Sequence, residues 1–186
     1  MSFDNCAYRA PSAKKILLEA EPIRDAILAV SGKLDLRTGG PGFSVFEPND
    51  NYVRVYNAKR TYGPSEWRRM IYMTKVRMQQ DATFGAFDCP DGGQIAPKRT
   101  SSTTPLQALN LLNSDFILQQ AESFAERVKR EQGDDVAKQV RRAFAVTFNR
   151  QASEEELAIA ATFVEREGLT MFCRALLNAN EFVYVY

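Results

Sequence analysis

Hydrophobic positions along the chain first fall into a helical rhythm between Glu21 and Ser31. Ile23, Ile27 and Val30 share one face there. Pro22 suits the first turn, where its missing N–H costs nothing, and Gly32 follows as a C-terminal stop. Lys33 to Gly42 reads as a loop ending in the flexible turn Gly39-Gly40-Pro41-Gly42. The rhythm then turns β-prone at Phe43-Ser44-Val45-Phe46 and Tyr52-Val53-Arg54-Val55-Tyr56, on either side of Pro48-Asn49-Asp50-Asn51. Two such runs around a turn cluster predict a hairpin. A helical pattern returns from Ser65 to about Arg77, with Trp67, Ile71, Met70 and Thr74 facing inward. Met78 to Thr103 is irregular, rich in Gly, Pro and Asp, and longer than an ordinary loop.

From Thr104 the pattern is almost wholly helical. Thr104-Pro105-Leu106-Gln107 is a capping box, and Asn113 and Ser114 separate that short helix from the next. Phe116, Ile117, Ala121, Phe124 and Val128 share a face. So do Val136, Val140, Phe144 and Phe148 in a helix from about Asp134. Ser153-Glu154-Glu155-Glu156 is a second capping box, opening a helix to about Glu167. A last helix carries Leu169, Phe172, Cys173, Leu176 and Leu177, with Asn180 on its apolar stripe. Short links imply antiparallel neighbours. The expected fold is mainly α: a helical bundle with one small β-hairpin and a long irregular loop. Residues 1–20 are a variable or extraneous segment. Residues 21–186 form one domain, with helix, hairpin, helix and loop over 21–103 and the bundle over 104–186. The long loop should cross the bundle, with Asp88 or Asp91 touching Arg99 or the Thr104 helix start.

Composition removes whole classes of chemistry. None of the 186 residues is histidine. That excludes Ser-His-Asp and Cys-His nucleophiles and histidine-ligated zinc or haem within this chain. Cys6, Cys89 and Cys173 are scattered, without a Cys-x-x-Cys, so they suggest separate thiols rather than a metal site or disulfide framework. The net charge of +1 gives no global pull toward nucleic acid. No apolar run reaches transmembrane length. The N-terminus lacks the apolar core and cleavage site of a signal peptide.

Four clusters remain as candidates. Asp88 and Asp91, beside Gly92 and Gly93, offer two carboxylates for a cation or for acid–base work, although Pro-Asp-Gly is also turn chemistry. Lys98 to Thr104, with Arg99 and Thr103, could present an anion site at a helix start. The plainer alternative is a capped loop whose Arg99 pairs with Asp88 or Asp91. Tyr52 to Arg77 interleaves Tyr52, Tyr56, Tyr62, Trp67 and Tyr72 with Arg54, Lys59, Arg60, Arg68, Arg69, Lys75 and Arg77. Such a surface could bind sugars or single-stranded nucleic acid. Otherwise the rings are core and the arginines pair with the acidic C-terminal half. Thr104, Asn110, Asn113, Asn180 and Glu181 read as structural polar residues, since buried amides must be hydrogen-bonded.

Several segments carry a family resemblance. They are Ala26-Ile-Leu-Ala-Val-Ser-Gly-Lys-Leu-Asp35, Gly39-Gly-Pro-Gly-Phe43, Phe87-Asp-Cys-Pro-Asp91, Arg99-Thr-Ser-Ser-Thr-Thr-Pro-Leu-Gln-Ala-Leu-Asn-Leu-Leu-Asn113 and Leu176-Leu-Asn-Ala-Asn-Glu-Phe-Val-Tyr184. Together they resemble the planctomycete-specific domain of unknown function that forms the C-terminal region of large planctomycete cytochrome-C-like proteins. The resemblance spans Glu21 to Tyr186. It implies an exported, extracytoplasmic protein (periplasmic or at the cell surface), with the N-terminal domains of the same longer chain as partners. Haem c would lie in those domains and no cofactor in this chain. It also implies a link to polysaccharide breakdown and sulfatase-rich gene sets. It carries no catalytic residues.

The function expected is therefore a non-catalytic structural or interaction module. The alternatives are a carbohydrate-binding module using Tyr52, Tyr56, Tyr62 or Trp67, and a carboxylate enzyme or metal site at Asp88 and Asp91. Nucleic acid is disfavoured as a partner. The missing histidine also makes a prediction. Between roughly pH 6 and 8 folding stability stays nearly flat, since no side chain titrates there at its ordinary pKa. Urea-unfolding midpoints across that range check it, and a steep change would reveal a shifted carboxylate or thiol.

Overall fold

Side-chain caps set the helix boundaries in the C-terminal half, much as the sequence predicts. The computed structural model describes residues 16–48, 55–77, 79–81, 83–90, 92–93, 97–99 and 102–185. Its elements are β1 (Ile16–Leu17), α1 (Ala20–Ser31), α2 (Pro105–Asn113), α3 (Asp115–Gln132), α4 (Val136–Phe148), α5 (Glu154–Glu167), α6 (Leu169–Leu177), α7 (Asn180–Val183) and β2 (Tyr184–Val185). Thr104 and Gln107 close the capping box of α2, with Gln107 Oε1 accepting from the Thr104 N–H at 3.0 Å. Ser114 caps α3, Asp135 caps α4, and Ser153 with Glu156 forms the box of α5. Gly32, in the left-handed region, ends α1.

The centre of the bundle is α3, which packs against α1, α2, α4 and α6. Its apolar face, Phe116, Ile117, Ala121, Phe124 and Val128, is buried. The long loop crosses it, with Phe84 edge-on to Phe116 at 5.5 Å and with Phe87 and Cys89 also buried. The fold is thus mainly α with one small antiparallel pair. That pair joins distant parts of the chain, Ile16 opposite Val185 and Leu17 opposite Tyr184. The arm expected as a hairpin does return on itself. Phe46 bridges Ala58, and the Glu47 and Lys59 N–H groups donate to the Asn57 and Val45 carbonyls at 2.8 and 2.9 Å. Tyr52, Val53 and Arg54 of its second run lie outside the described residues.

Two expected helices need correction. Over 65–77 only Met70–Tyr72 coil, as a single 3-10 turn, and Ile71 is 76% exposed rather than inward. The backbone groups a helix would use are taken by distant partners. The Asp35 N–H donates to the Trp67 carbonyl at 2.9 Å, the Phe43 N–H to the Tyr72 carbonyl at 3.1 Å, and the Thr74 N–H to the Phe43 carbonyl at 2.8 Å. The last helix is also interrupted. α6 ends at Leu177, the chain turns at Asn178 and Ala179, and Asn180 opens α7 as an exposed residue, off the apolar stripe.

Arg24 fixes this irregular half to the bundle. It is 1% exposed on the inner face of α1. Its Nη1 donates to the Arg68 carbonyl at 2.7 Å and its Nη2 to the Glu66 carbonyl. Phe43 and Phe116 lie under the guanidinium at 4.8 and 5.2 Å. Asp25, beside it, accepts from the Met70 N–H at 2.7 Å and pairs with Arg69 at 3.1 Å. Arg68 repeats the device one layer out. It stacks on Tyr72 at 3.9 Å and donates to the Gly39 and Pro41 carbonyls. The turn packs so closely that a Cβ on Gly42 would lie 2.7 Å from the Tyr72 carbonyl oxygen. No helix among the described residues is long and apolar enough to cross a membrane.

Replacing Arg24 with Met strips two buried carbonyls of their donor. It should cost roughly 2–4 kcal/mol in urea denaturation. Arg69→Met breaks only the half-exposed pair with Asp25 and should cost under about 1 kcal/mol. Equal losses would remove Arg24 from its central role.

Candidate functional site

Where residues 56–62 pass the junction of α2 and α3, they leave an open cleft of about 630 Å³. Its walls include Tyr56, Asn57, Arg60, Tyr62, Asn110 and Asp115. The first four lie on the 56–62 segment, Asn110 on α2 and Asp115 at the start of α3. Tyr62 is clamped from α3. Its N–H donates to Gln119 Oε1 at 2.9 Å, and its carbonyl accepts from Gln119 Nε2 at 2.7 Å. Its hydroxyl donates to the Lys59 carbonyl at 3.0 Å and its ring meets Phe116 edge-on at 5.2 Å. Burial pushes the phenol well above its usual pKa, which keeps it neutral. Tyr56 is half-buried, edge-on to Phe46 at 5.5 Å. Asn110 Nδ2 donates to the Thr83 carbonyl at 3.2 Å. Asn113, at the end of α2, accepts from Arg174 at 2.9 Å, and Arg174 also caps the Leu112 carbonyl at 2.6 Å. The cleft therefore places Asn57 beside an aromatic ring, with the Asn110 and Asn113 amides bonded to the protein and Asp115 as the one carboxylate among its described walls.

The other sequence candidates are dispersed. Trp67 lies outside the cleft, half-buried, with the Lys33 ammonium 4.9 Å above its ring. Arg99 does not pair with Asp88. It grips Glu21 with two bonds of 2.7 and 2.8 Å and reaches Glu19 at 3.0 Å. The reason is that Asp88 is already engaged. Its oxygens accept from the Ser102 N–H at 2.6 Å and from the Ser102 hydroxyl at 2.8 and 3.0 Å, pinning the long loop just ahead of α2. Asp91 lies outside the described residues. Thr103 is exposed, and Glu181 pairs with Arg150, which also holds Glu156.

The basic stretch is corrected as well. Three of its cations turn to their own half of the chain, not to the acidic C-terminal half. Lys59 pairs with Glu66 at 2.8 Å, Arg69 with Asp25, and Arg68 with loop carbonyls. Arg54 lies outside the described residues.

One cluster had no signature in the sequence, because its members stand far apart. Lys75 Nζ donates to Cys89 Sγ at 2.7 Å, and Glu21 Oε1 lies 3.9 Å from the same sulfur. The Arg99 hydrogen bonds hold the Glu21 carboxyl below its ordinary pKa. Burial raises the Cys89 thiol. No group of three or more Cys, Asp or Glu among the described residues is arranged to hold a metal ion.

A family model described as PSD1, protein of unknown function (DUF1553), matches residues 4–164. The chain belongs to that family. The match runs from ahead of β1 into α5, so the cleft, the Arg24 anchor and the Cys89 cluster all fall within the family's span. No curated protein and no solved structure matches the chain.

If Asp88 serves the loop, Asp88→Ala should lose about 1–2 kcal/mol, for the two Ser102 bonds and the left-handed backbone (φ 53°) together. Asp88→Asn, which tolerates that backbone and still accepts, should lose less. Thermal unfolding of the two variants separates them. An Asn variant as unstable as the Ala variant would contradict the assignment.

Proposed function

We propose that this chain is a non-catalytic interaction module, the C-terminal part of an exported cytochrome-C-like multidomain protein. The observation that carries this reading is where the polar side chains go. Asp88 is spent on Ser102, Arg99 on Glu19 and Glu21, Thr104 on the start of α2, and Glu181 on Arg150. Among the described residues the surface also exposes large apolar side chains. Ile16 and Val185 are 61% and 52% exposed and stand opposite each other in the β1–β2 register. A paired apolar patch beside the point where the upstream chain joins the fold suits cover by a preceding domain. With no histidine and no Cys-x-x-Cys-His, the residues of this chain do not fit haem c. Any haem belongs to the upstream domains.

A second reading, carbohydrate binding, draws support from the cleft. Tyr56 flanked by Asn57 and Asp115 provides a ring to stack on a sugar, with an amide and a carboxylate to bond its hydroxyls.

One set of measurements tests both. The purified chain is expected to leave plain and sulfated polysaccharides intact, and turnover of either would end the main reading. Ile16→Glu combined with Val185→Glu should preserve helical content and weaken association with the separately produced upstream region about tenfold or more. Unchanged association would also overturn it. Backbone amide shifts near Tyr56 on titration with oligosaccharides would favour the second reading, and silence there removes it.

A further inference from the structure

The Lys75–Cys89 contact lies apart from the cleft and has no part in the proposed function. At 2.7 Å, Nζ and Sγ stand closer than an ammonium and a sulfur held only by a hydrogen bond. Their surroundings are built for that approach. Cys89 is 5% exposed, sealed among Val45, Phe46 and Met73 on one side. On the other side Glu21 faces the sulfur, and Arg99 keeps that carboxylate in place with two hydrogen bonds. A cavity of about 10 Å³ touches both Lys75 and Cys89. That is room for roughly one water-sized molecule beside the two side chains. The remainder of Lys75 is exposed, which gives a path from solvent.

We propose that Lys75 and Cys89 are an oxidative modification site, at which dioxygen joins Nζ to Sγ through a bridging oxygen. The step balances without a further reactant. The thiol S–H, one amine N–H and the O–O bond break, and an S–O and an N–O bond form. The second oxygen leaves as water with the two hydrogens. Sulfur and nitrogen each give up two electrons, and the four reduce dioxygen. Lysine reacts as the free amine, and Glu21 is placed to accept the thiol proton on the way to water. A dithiol reverses the link, with two equivalents returning the amine, the thiol and one water. The bridge ties the segment after Met73 to the long loop beside the start of α1. Oxidation would therefore staple the loop whose other end Asp88 pins through Ser102.

The test uses the full chain carrying Cys6→Ser, held in dioxygen-saturated or anaerobic buffer and then analysed by peptide mass spectrometry. The expected result, in dioxygen alone, is loss of tryptic cleavage after Lys75. With it comes a peptide pair joined at Lys75 and Cys89, one oxygen heavier and two hydrogens lighter than its parts. Dithiothreitol should abolish it. Lys75→Arg, which keeps the charge, and Cys89→Ser should each eliminate it with the helical circular dichroism unchanged. Three results would overturn the proposal. Cys89 could stay fully alkylatable after dioxygen exposure. It could climb to sulfinic acid with Lys75 still cleavable. Or the joined peptide could lack the added oxygen.

Discussion

A buried guanidinium that makes no direct ion pair among the described residues holds the irregular half of this protein in place. Taking a charge out of water costs several kcal/mol unless its surroundings replace the lost hydration. Arg24 obtains that replacement from two backbone carbonyls and two aromatic faces. Burial brings its pKa down to about 10, which leaves it charged at neutral pH. The four groups come from three separate places. The carbonyls belong to Glu66 and Arg68, Phe43 belongs to the arm, and Phe116 belongs to α3. Satisfying one side chain on α1 therefore requires the segment at 66–68, the arm and the central helix to meet at one point.

The helices were legible because their determinants are local. Thr104 with Gln107, Ser114, and Ser153 with Glu156 sit within a turn of the N–H groups they cap, and the apolar stripes of α3 and α4 repeat at helical spacing. The 65–77 segment carried an equally helical pattern and did not follow it. Its backbone partners lie at Asp35, Phe43 and Arg24, about thirty or more residues away, and no local rule records them. Arg24 itself had left a trace. It falls four residues after Ala20 and four before Leu28, in line with buried positions of α1, where a cation must find partners or stay outside.

The sites were less legible for the same reason. The Tyr56 and Tyr62 pair was visible as an aromatic cluster, but Trp67 and Tyr72, equally visible, were drawn off by Lys33 and Arg68. Tyr62 is itself buried against Phe116, so availability depends on packing as well as on which cations lie over a ring. The cations of the basic stretch likewise reach neighbours in space such as Asp25 and Glu66, so a charge imbalance between the halves of the chain said little about the pairs. Glu21, Lys75, Cys89 and Arg99 meet only because α1 and the long loop converge.

The two halves of the fold are thus stabilised in different ways, and this bears on what the cleft can do. The bundle rests on apolar packing, which tolerates small adjustments of side chains. The described segments 33–48 and 55–77 rest on directional bonds between Arg24, Arg68, Asp25 or Gln119 and named backbone atoms, which tolerate little. Gln119 uses both ends of its amide on Tyr62, so the cleft wall is fixed by the helix that also forms the core. A cleft held in this way loses little conformational entropy on binding. The same rigidity aligns Lys75 with Cys89, since a covalent step between two side chains needs their atoms held at bonding approach. The polar side chains of Asp88, Arg99, Thr104 and Glu181 likewise set geometry, each tied to a named partner elsewhere in the fold.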